Sequence, residues 1–89
     1  MRLSPDAREY AHWTITADVT GLAYEVDFDK TDDWHPLEEA DGTYRILVAG
    51  PDAEGEGTIP LAIGRHLARI RVVDTPEIVV RDAGPIDVG

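Results

Sequence analysis

Acidic residues concentrate between Asp27 and His35, in the segment DFDKTDDWH. Oxygen ligands at alternating positions of such a segment could converge on a calcium ion. The EF-hand pattern is absent, because no glycine stands at the sharp turn and no glutamate at the closing position. Asp27 and Asp29 also fall on the outward face of a predicted strand, where carboxylates are ordinarily solvated. We therefore expect a solvated acidic edge, and weak cation binding by this segment stays open.

Residue sets that could support catalysis or bind a metal are sparse. The three histidines, His12, His35 and His66, lack the paired spacing of zinc ligands. Ser4 is the only serine and has no Gly-x-Ser-x-Gly context. The 18 acidic residues form carboxylate pairs by chance, and a small domain with an apolar interior has little room for a substrate cleft. We predict a protein without enzymatic activity, metal or other cofactor.

The two tryptophans are candidate interface anchors, since tryptophan is enriched at binding hot spots. Trp13 alternates with Ile15 along a predicted strand, which favours burial in the core. Trp34 lies in a loop before Pro36, where core and interface are equally favoured.

The elements that must position these residues are strands, because apolar residues alternate with a period of two and helical periodicity is nearly absent. The segments 11–19 and 22–28 flank a Thr20-Gly21 turn, which predicts a hairpin. Only the segment 36–40 could form a helical turn, and it is short. Further strands are predicted at 43–49, 58–63, 67–73, 78–81 and 85–88. In the strand over 58–63, Ile59, Leu61 and Ile63 share one face, and in the strand over 67–73, Arg69 and Arg71 point outward.

A corner pattern precedes the strand that begins at residue 67. Leu61, Gly64 and His66 form a Leu-x-x-Gly-x-ring sequence, and β-sandwiches often hold a tyrosine at the ring position, bonded to the preceding backbone. We therefore expect His66 to make a structural hydrogen bond. The strand pattern predicts an all-β, immunoglobulin-like β-sandwich of about seven to eight short antiparallel strands. We expect a single domain over residues 1–89, with residues 1–9 as a candidate extended arm.

The formal net charge of −10 is unevenly distributed. Eleven acidic residues oppose two basic ones from Glu25 to Glu56, whereas four of each sign follow from Gly57 onward. An acidic surface repels phosphate, so we exclude nucleic acid and anionic membranes as direct partners. The first residues lack an apolar signal core, so we expect no targeting segment. The electrically neutral C-terminal part is the better candidate for a docking surface.

A series of short motifs occurs in a distinctive order over roughly the last two thirds of the chain. The motifs are Asp33-Trp34-His35, 42–48 leading to Gly50-Pro51, Leu61-x-x-Gly64-x-His66, 68–72, 74–77 and 83–86. In this order the chain resembles small immunoglobulin-like virion proteins of tailed bacteriophages that infect actinobacteria. The histidine at position 66 departs from the larger aromatic residue expected at the corner.

The resemblance implies a structural virion protein made in the host cytoplasm. It points first to a decoration protein on the outer capsid surface, bound to the major capsid protein or to neighbouring virion proteins. A head–tail connector, neck or tail-associated protein is the alternative, and a homo-oligomer on the particle is compatible with both. Packaged DNA would repel the acidic segment, which favours the outside. The expected docking surface contains Arg2, Arg8, Arg69 and Arg71. A carbohydrate- or cell-surface-binding β-sandwich is the alternative of another class.

Overall fold

The computed structural model describes residues 1–15, 23–40, 42–74 and 77–89. Within these residues the chain is all-β, with nine strands in place of the seven to eight predicted. The strands are β1 (Arg2–Leu3), β2 (Arg8–Trp13), β3 (Tyr24–Phe28), β4 (His35–Pro36), β5 (Glu38–Ala40), β6 (Thr43–Ala49), β7 (Ile59–Pro60), β8 (Gly64–Asp74) and β9 (Glu77–Val88).

The strands form two sheets. The larger sheet has the order β1-β9-β8-β3-β4, and the smaller has the order β2-β6-β5 with β7 also paired to β6. Most neighbours are antiparallel, but β1 runs parallel to β9 and β7 runs parallel to β6. The long strands β8 and β9 pair over nearly their whole length, with an irregularity in register at Ala68 and Arg69. A bulge at this point increases the local twist of the sheet.

One apolar core takes side chains from both sheets. Its fully or nearly fully buried members include Val26 and Ile86 of the larger sheet and Val48 of the smaller one. Alternation explains this, because Tyr24, Val26 and Phe28 share the buried face of β3. The arrangement is compatible with a β-sandwich, and the core lies where the two sheets contribute their apolar faces.

The predicted strand over residues 43–49 is confirmed as β6 with the same bounds. The predicted hairpin is not formed by the described parts of its two strands, because β2 lies in the smaller sheet and β3 in the larger one. The Thr20-Gly21 turn itself lies outside the described residues. The two sheets are instead joined through the core, so consecutive strands need not be neighbours.

Three further predictions are corrected. The segments 78–81 and 85–88 form one continuous strand, β9. Ile63 is exposed while Leu61 is buried, because the strand over 58–63 is reduced to Ile59–Pro60. The candidate helical turn at residues 36–40 is extended instead, and β5 pairs with β6 through Glu38 to Ala40. In each case long-range pairing outweighs the local pattern.

Residues 1–9 lie on the domain instead of extending from it as an arm. Leu3 is fully buried in the core, and β1 pairs with the end of β9. The Met1 amino group donates a hydrogen bond to the Pro85 carbonyl at 3.1 Å. Pro5 packs so closely on Gly50 that any side chain at position 50 would clash with the Pro5 backbone. The start of the chain therefore contributes to the folded unit.

Candidate functional site

The outer face of the larger sheet carries a ladder of opposite charges. On β8, alternation places Arg69 and Arg71 on one face. The register sets these residues directly opposite Asp27 and Glu25 of β3. Each arginine bonds the acid opposite it, so the charges of the two strands neutralise each other across the sheet. We call this set, Glu25, Asp27, Arg69 and Arg71, the charge ladder.

Asp27 is the buried member of the charge ladder. Its residue exposure is 0%, whereas we expected a solvated carboxylate on this face. The Arg69 guanidinium bonds both carboxylate oxygens, with Nε 2.9 Å from Oδ1. This two-bond geometry is the strong form of an arginine–carboxylate pair. The Arg69 hydrogen bond holds the pKa of Asp27 below its usual value, against the opposing effect of burial. Asp27 is therefore ionised, and its charge depends on Arg69.

A tight turn after β3 covers this pair. Asp29 and Lys30 both have positive φ, 58° and 55°, and the Thr31 N–H donates to the Phe28 carbonyl at 3.3 Å. Two consecutive left-handed residues closed by such a bond are the pattern of a type I′ turn. The turn is followed by Asp32, whose N–H donates to Asp27 and whose carboxylate lies 3.2 Å from Arg69. The segment predicted as an acidic edge thus folds back over the sheet.

Trp34 completes the cover over the charge ladder. The Arg71 Cζ atom lies 4.4 Å from the centroid of the Trp34 ring, and the Arg69 Cζ atom lies 5.2 Å from it. Guanidinium groups at these distances are attracted to the electron-rich face of the indole. Arg71 Nε also donates to Glu25 at 3.0 Å. The half-buried Trp34 therefore belongs to the charge ladder's environment, and Trp13 packs separately against the core.

His66 joins the corner to the same turn. Its Nε2 lies 2.8 Å from the Ala62 carbonyl oxygen, which is the bond to preceding backbone that the corner pattern predicts. Its Nδ1 lies 2.6 Å from Asp29, whose other carboxylate oxygen accepts the Leu67 N–H. Both ring nitrogens thus face acceptors, and only the imidazolium has two N–H donors. The arrangement therefore favours the charged form of the ring between Ala62 and Asp29.

The charged state of His66 gives a pH-dependent stability. Burial favours the neutral ring, but the bonds to Ala62 and Asp29 outweigh it and raise the pKa of His66 above 6.5. A raised folded-state pKa stabilises the fold fully at low pH, and this stabilisation is lost as pH rises from 6.5 through the folded value. We expect NMR titration of His66 to show this raised pKa and Asp29→Asn to lower it. A wild-type pKa at or below 6.5 would contradict the two-acceptor arrangement.

The four arginines of the expected docking surface do not come together. Arg69 and Arg71 are paired within the charge ladder, with side-chain exposures of 18% and 27%. Arg2 lies on β1 at the edge of the larger sheet, beside Arg65 and Asp87. Arg8 belongs to the smaller sheet, and its Nε donates to the Ala53 carbonyl at 3.1 Å. Arg69 and Arg71 are thus neutralised on the outer face of the larger sheet, and the other two arginines lie apart from them and from each other.

Exposed apolar side chains share the face of the charge ladder. Leu67 follows the same alternation as Arg69 and is 52% exposed. Ile78 of β9 stands two positions from Val80, which lies opposite Arg71, and is 63% exposed. Leu67 and Ile78 lie toward opposite ends of the β8–β9 pairing, with the charge ladder between them. Exposed apolar side chains that flank paired charges are suited to contact with another protein surface.

The signal for the charge ladder is present in the sequence. Acids alternate at 25, 27 and 29, and arginines alternate at 69 and 71 in the strand predicted over 67–73. Alternating opposite charges on two strands indicate a cross-strand pairing, which the periodicity of one strand alone does not reveal. The burial of Asp27 has no such local signal, because it depends on the turn that covers it.

Metal binding and membrane insertion were considered as well for the described part of the chain. No group of three or more histidine, aspartate or glutamate side chains there could hold a metal ion. No helix there has the length and apolar character needed to cross a membrane. Comparison of the chain with protein-family models, curated proteins and solved structures found no match.

Proposed function

We propose that this chain is a non-enzymatic, immunoglobulin-like structural protein of a bacteriophage virion, bound to the outer surface of the capsid shell. The observation that carries the proposal is the difference in charge between the two sheets. On the larger sheet and the turn after β3, most acids are paired with arginine or histidine, and Asp82 of β9 is exposed without an ion pair in the described residues. On the smaller sheet and its loops, acids are exposed without an ion pair in the described residues; these are Glu39, Asp52, Glu54 and Glu56.

This difference supports one orientation on a particle. The outer face of the larger sheet combines the internally paired charge ladder with the exposed Leu67 and Ile78, so burying it costs less than burying unpaired carboxylates. The acidic loops lose favourable hydration if they are buried, and their charge opposes contact with packaged DNA. We therefore place the larger sheet toward the major capsid protein and the smaller sheet toward solvent.

Sedimentation with undecorated shells tests this function. The shells are assembled from the major capsid protein of the phage genome that encodes the chain, and the expected result is saturable co-sedimentation. The double variant Leu67→Glu/Ile78→Glu is expected to weaken binding at least about tenfold, since it adds charge to the apolar contact. The matched control is Glu39→Gln/Glu54→Gln, which changes two charges on the opposite side and should leave binding unchanged.

Each of three outcomes would contradict a part of the proposal. Absence of wild-type binding to the shells would contradict capsid decoration, and binding only to purified neck or tail complexes would favour the head–tail alternative. Equal binding of the double variant and the control would contradict the orientation. Circular dichroism of each variant establishes that it is folded before the comparison.

A further inference from the structure

The first half of β9 has an open edge within the described residues. On the side away from β8, β1 pairs with only the last two residues of β9. The Trp13 indole and the Met1 amino group bond the same side further along, at Ala83 and Pro85. No described strand pairs with this side of β9 over residues 78–82, which we call the β9 edge.

The register of β8 shows which main-chain groups of β9 face this edge. The Leu67 N–H and carbonyl both bond Asp29, which follows β3, so the main chain of Leu67 faces β3. Main-chain direction alternates along an antiparallel strand, so Ile70, three residues later, faces β9. Ile70 lies opposite Arg81. The N–H and C=O groups of Arg81 therefore belong to the β8–β9 ladder.

The main-chain groups of Ile78 and Val80 face away from β8. The same alternation requires this direction, since each of these residues lies an odd number of positions from Arg81. The Arg81 guanidinium donates to the Val80 carbonyl at 3.0 Å, as expected for a carbonyl outside the ladder. That oxygen has a second lone pair and can still accept an N–H from another strand. An edge with such groups is a template for strand pairing.

The side chains of the β9 edge suit contact with another strand. Ile78 is 63% exposed, and the neighbouring Val79 and Val80 are half-buried. Residues 78–82 include neither proline nor lysine, with which proteins commonly protect exposed edges. The excess of acidic residues lies at 25–56, in β3 to β6 and their loops, and β8 separates β3 from β9. The edge is thus largely apolar and is not part of the acidic segment.

We propose that the β9 edge binds a second copy of this chain, with the two β9 strands antiparallel about a twofold axis at Val79. In this register Ile78 of each copy lies opposite Val80 of the other, and their outward N–H and C=O groups exchange hydrogen bonds. Arg81 lies opposite position 77, which is a glutamate in the sequence. Opposite charges at facing positions stabilise strand pairing. The edge is therefore complementary to itself in hydrogen bonding, apolar contact and charge.

Other registers are less favourable. An axis at Val80 sets Ile78 opposite the charged Asp82, and an axis at Arg81 sets the two copies of this arginine against each other. The axis at Val79 is perpendicular to the sheet, so two five-stranded sheets join into one and both outer faces point the same way. One strand pair is a small interface, so we expect weak association in solution.

Sedimentation equilibrium of the purified full chain tests the dimer at about 0.15 M salt, where repulsion between net charges is screened beyond ~8 Å. The average mass should rise from 9.8 kDa toward twice that value as the concentration increases to about 1 mM. Amide hydrogen exchange by NMR locates the contact. The amides of Ile78 and Val80 should exchange more slowly at high concentration, whereas that of Arg81, already bonded to β8, should change less.

Two variants and a control separate the β9 edge from general association. Val80→Pro removes an outward N–H and leaves the β8–β9 ladder intact, so it should abolish the dimer. Ile78→Lys should weaken association at least about tenfold, because a lysine on an edge opposes strand pairing. Ile63→Lys is the matched control, since Ile63 is 61% exposed and lies outside the described strands. Circular dichroism establishes that each variant is folded.

Charge exchange tests the register. Arg81→Glu alone should weaken the dimer, because it sets like charges at facing positions. The double variant Glu77→Arg/Arg81→Glu should restore it. Failure of the double variant to do so would contradict the axis at Val79.

Three results would overturn the inference as a whole. These are a chain that stays monomeric up to about 1 mM, a dimer unaffected by Val80→Pro, and equal effects of Ile78→Lys and Ile63→Lys. Because no shells are present, the result is independent of whether the chain binds a capsid.

Discussion

Replacement of Asp27 by asparagine is expected to lower the free energy of unfolding by about 3–5 kcal/mol. The substitution preserves the shape of the side chain and removes the charge that Arg69 bonds through two oxygens. It also weakens the acceptor for the Asp32 N–H. A loss of this size is a large fraction of the ~5–15 kcal/mol that stabilises an ordinary domain. Urea unfolding followed by circular dichroism measures it.

Two further variants distinguish a buried ion pair from a general effect of charge. Asp87→Asn removes the partner of Arg65 in an exposed pair on the same sheet, and its effect should be small because water screens that pair. The double variant Asp27→Leu/Arg69→Met replaces both charges with apolar groups and should recover most of the lost stability. Equal losses for Asp27→Asn and Asp87→Asn would contradict the burial of Asp27.

Acid should weaken the same interaction. The Arg69 hydrogen bond lowers the pKa of Asp27 below 3.8, so its contribution is present above 3.8 and is lost as pH falls through the folded-state value. His66 has the opposite sign, because its raised pKa makes its contribution decline as pH rises. The contributions of both groups are fully present between the ordinary pKa values of 3.8 and 6.5, so together they favour maximal stability at mildly acidic pH.

Replacement of Leu3 by alanine is the second large effect, with an expected loss of about 2–5 kcal/mol in the free energy of unfolding. Leu3 is fully buried and packs in the core with side chains of both sheets. Its loss leaves a cavity that the surrounding strands cannot fully close. The same urea experiment measures this loss. If the slope of the free energy of unfolding against urea concentration is unchanged, the variant exposes the same surface on unfolding as the wild type.

Met1→Ala is the matched control for this prediction. Met1 is two residues away and 43% exposed, so its side chain contributes little to the core. We expect a much smaller effect than for Leu3→Ala. Equally small losses of stability for the two variants would mean that the start of the chain is an arm, as the sequence first suggested. In that case β1 would not be part of the stable fold.

Local alternation predicts several strands well and their partners poorly. The bounds of β6 and the buried face of β3 follow from residues 43–49 and from Tyr24, Val26 and Phe28. The position of β2 and β3 in different sheets does not follow, because sheet membership depends on contacts between distant segments. The predicted hairpin therefore had a sound local pattern and the wrong neighbours.

In the candidate site, too, local contacts follow from the sequence, whereas contacts between distant segments do not. The corner pattern leads to the His66 bond with Ala62, since both partners lie within five residues of each other. The burial of Asp27 does not follow from its strand, because alternation assigns a face and does not show what covers it. The turn at Asp29 and Lys30 supplies that cover, and its left-handed backbone has no simple signal in two non-glycine residues.

The proposed function requires a phage whose genome encodes this chain, and an averaged cryo-electron microscopy map of its intact particles tests that proposal most directly. We expect repeated copies of a domain of 39 × 26 × 21 Å on the outside of the capsid shell. The outer face of the larger sheet should contact the shell, and the acidic loops should face solvent. A shell without such density, or copies of the domain confined to the neck, the tail or the inside of the head, would contradict it.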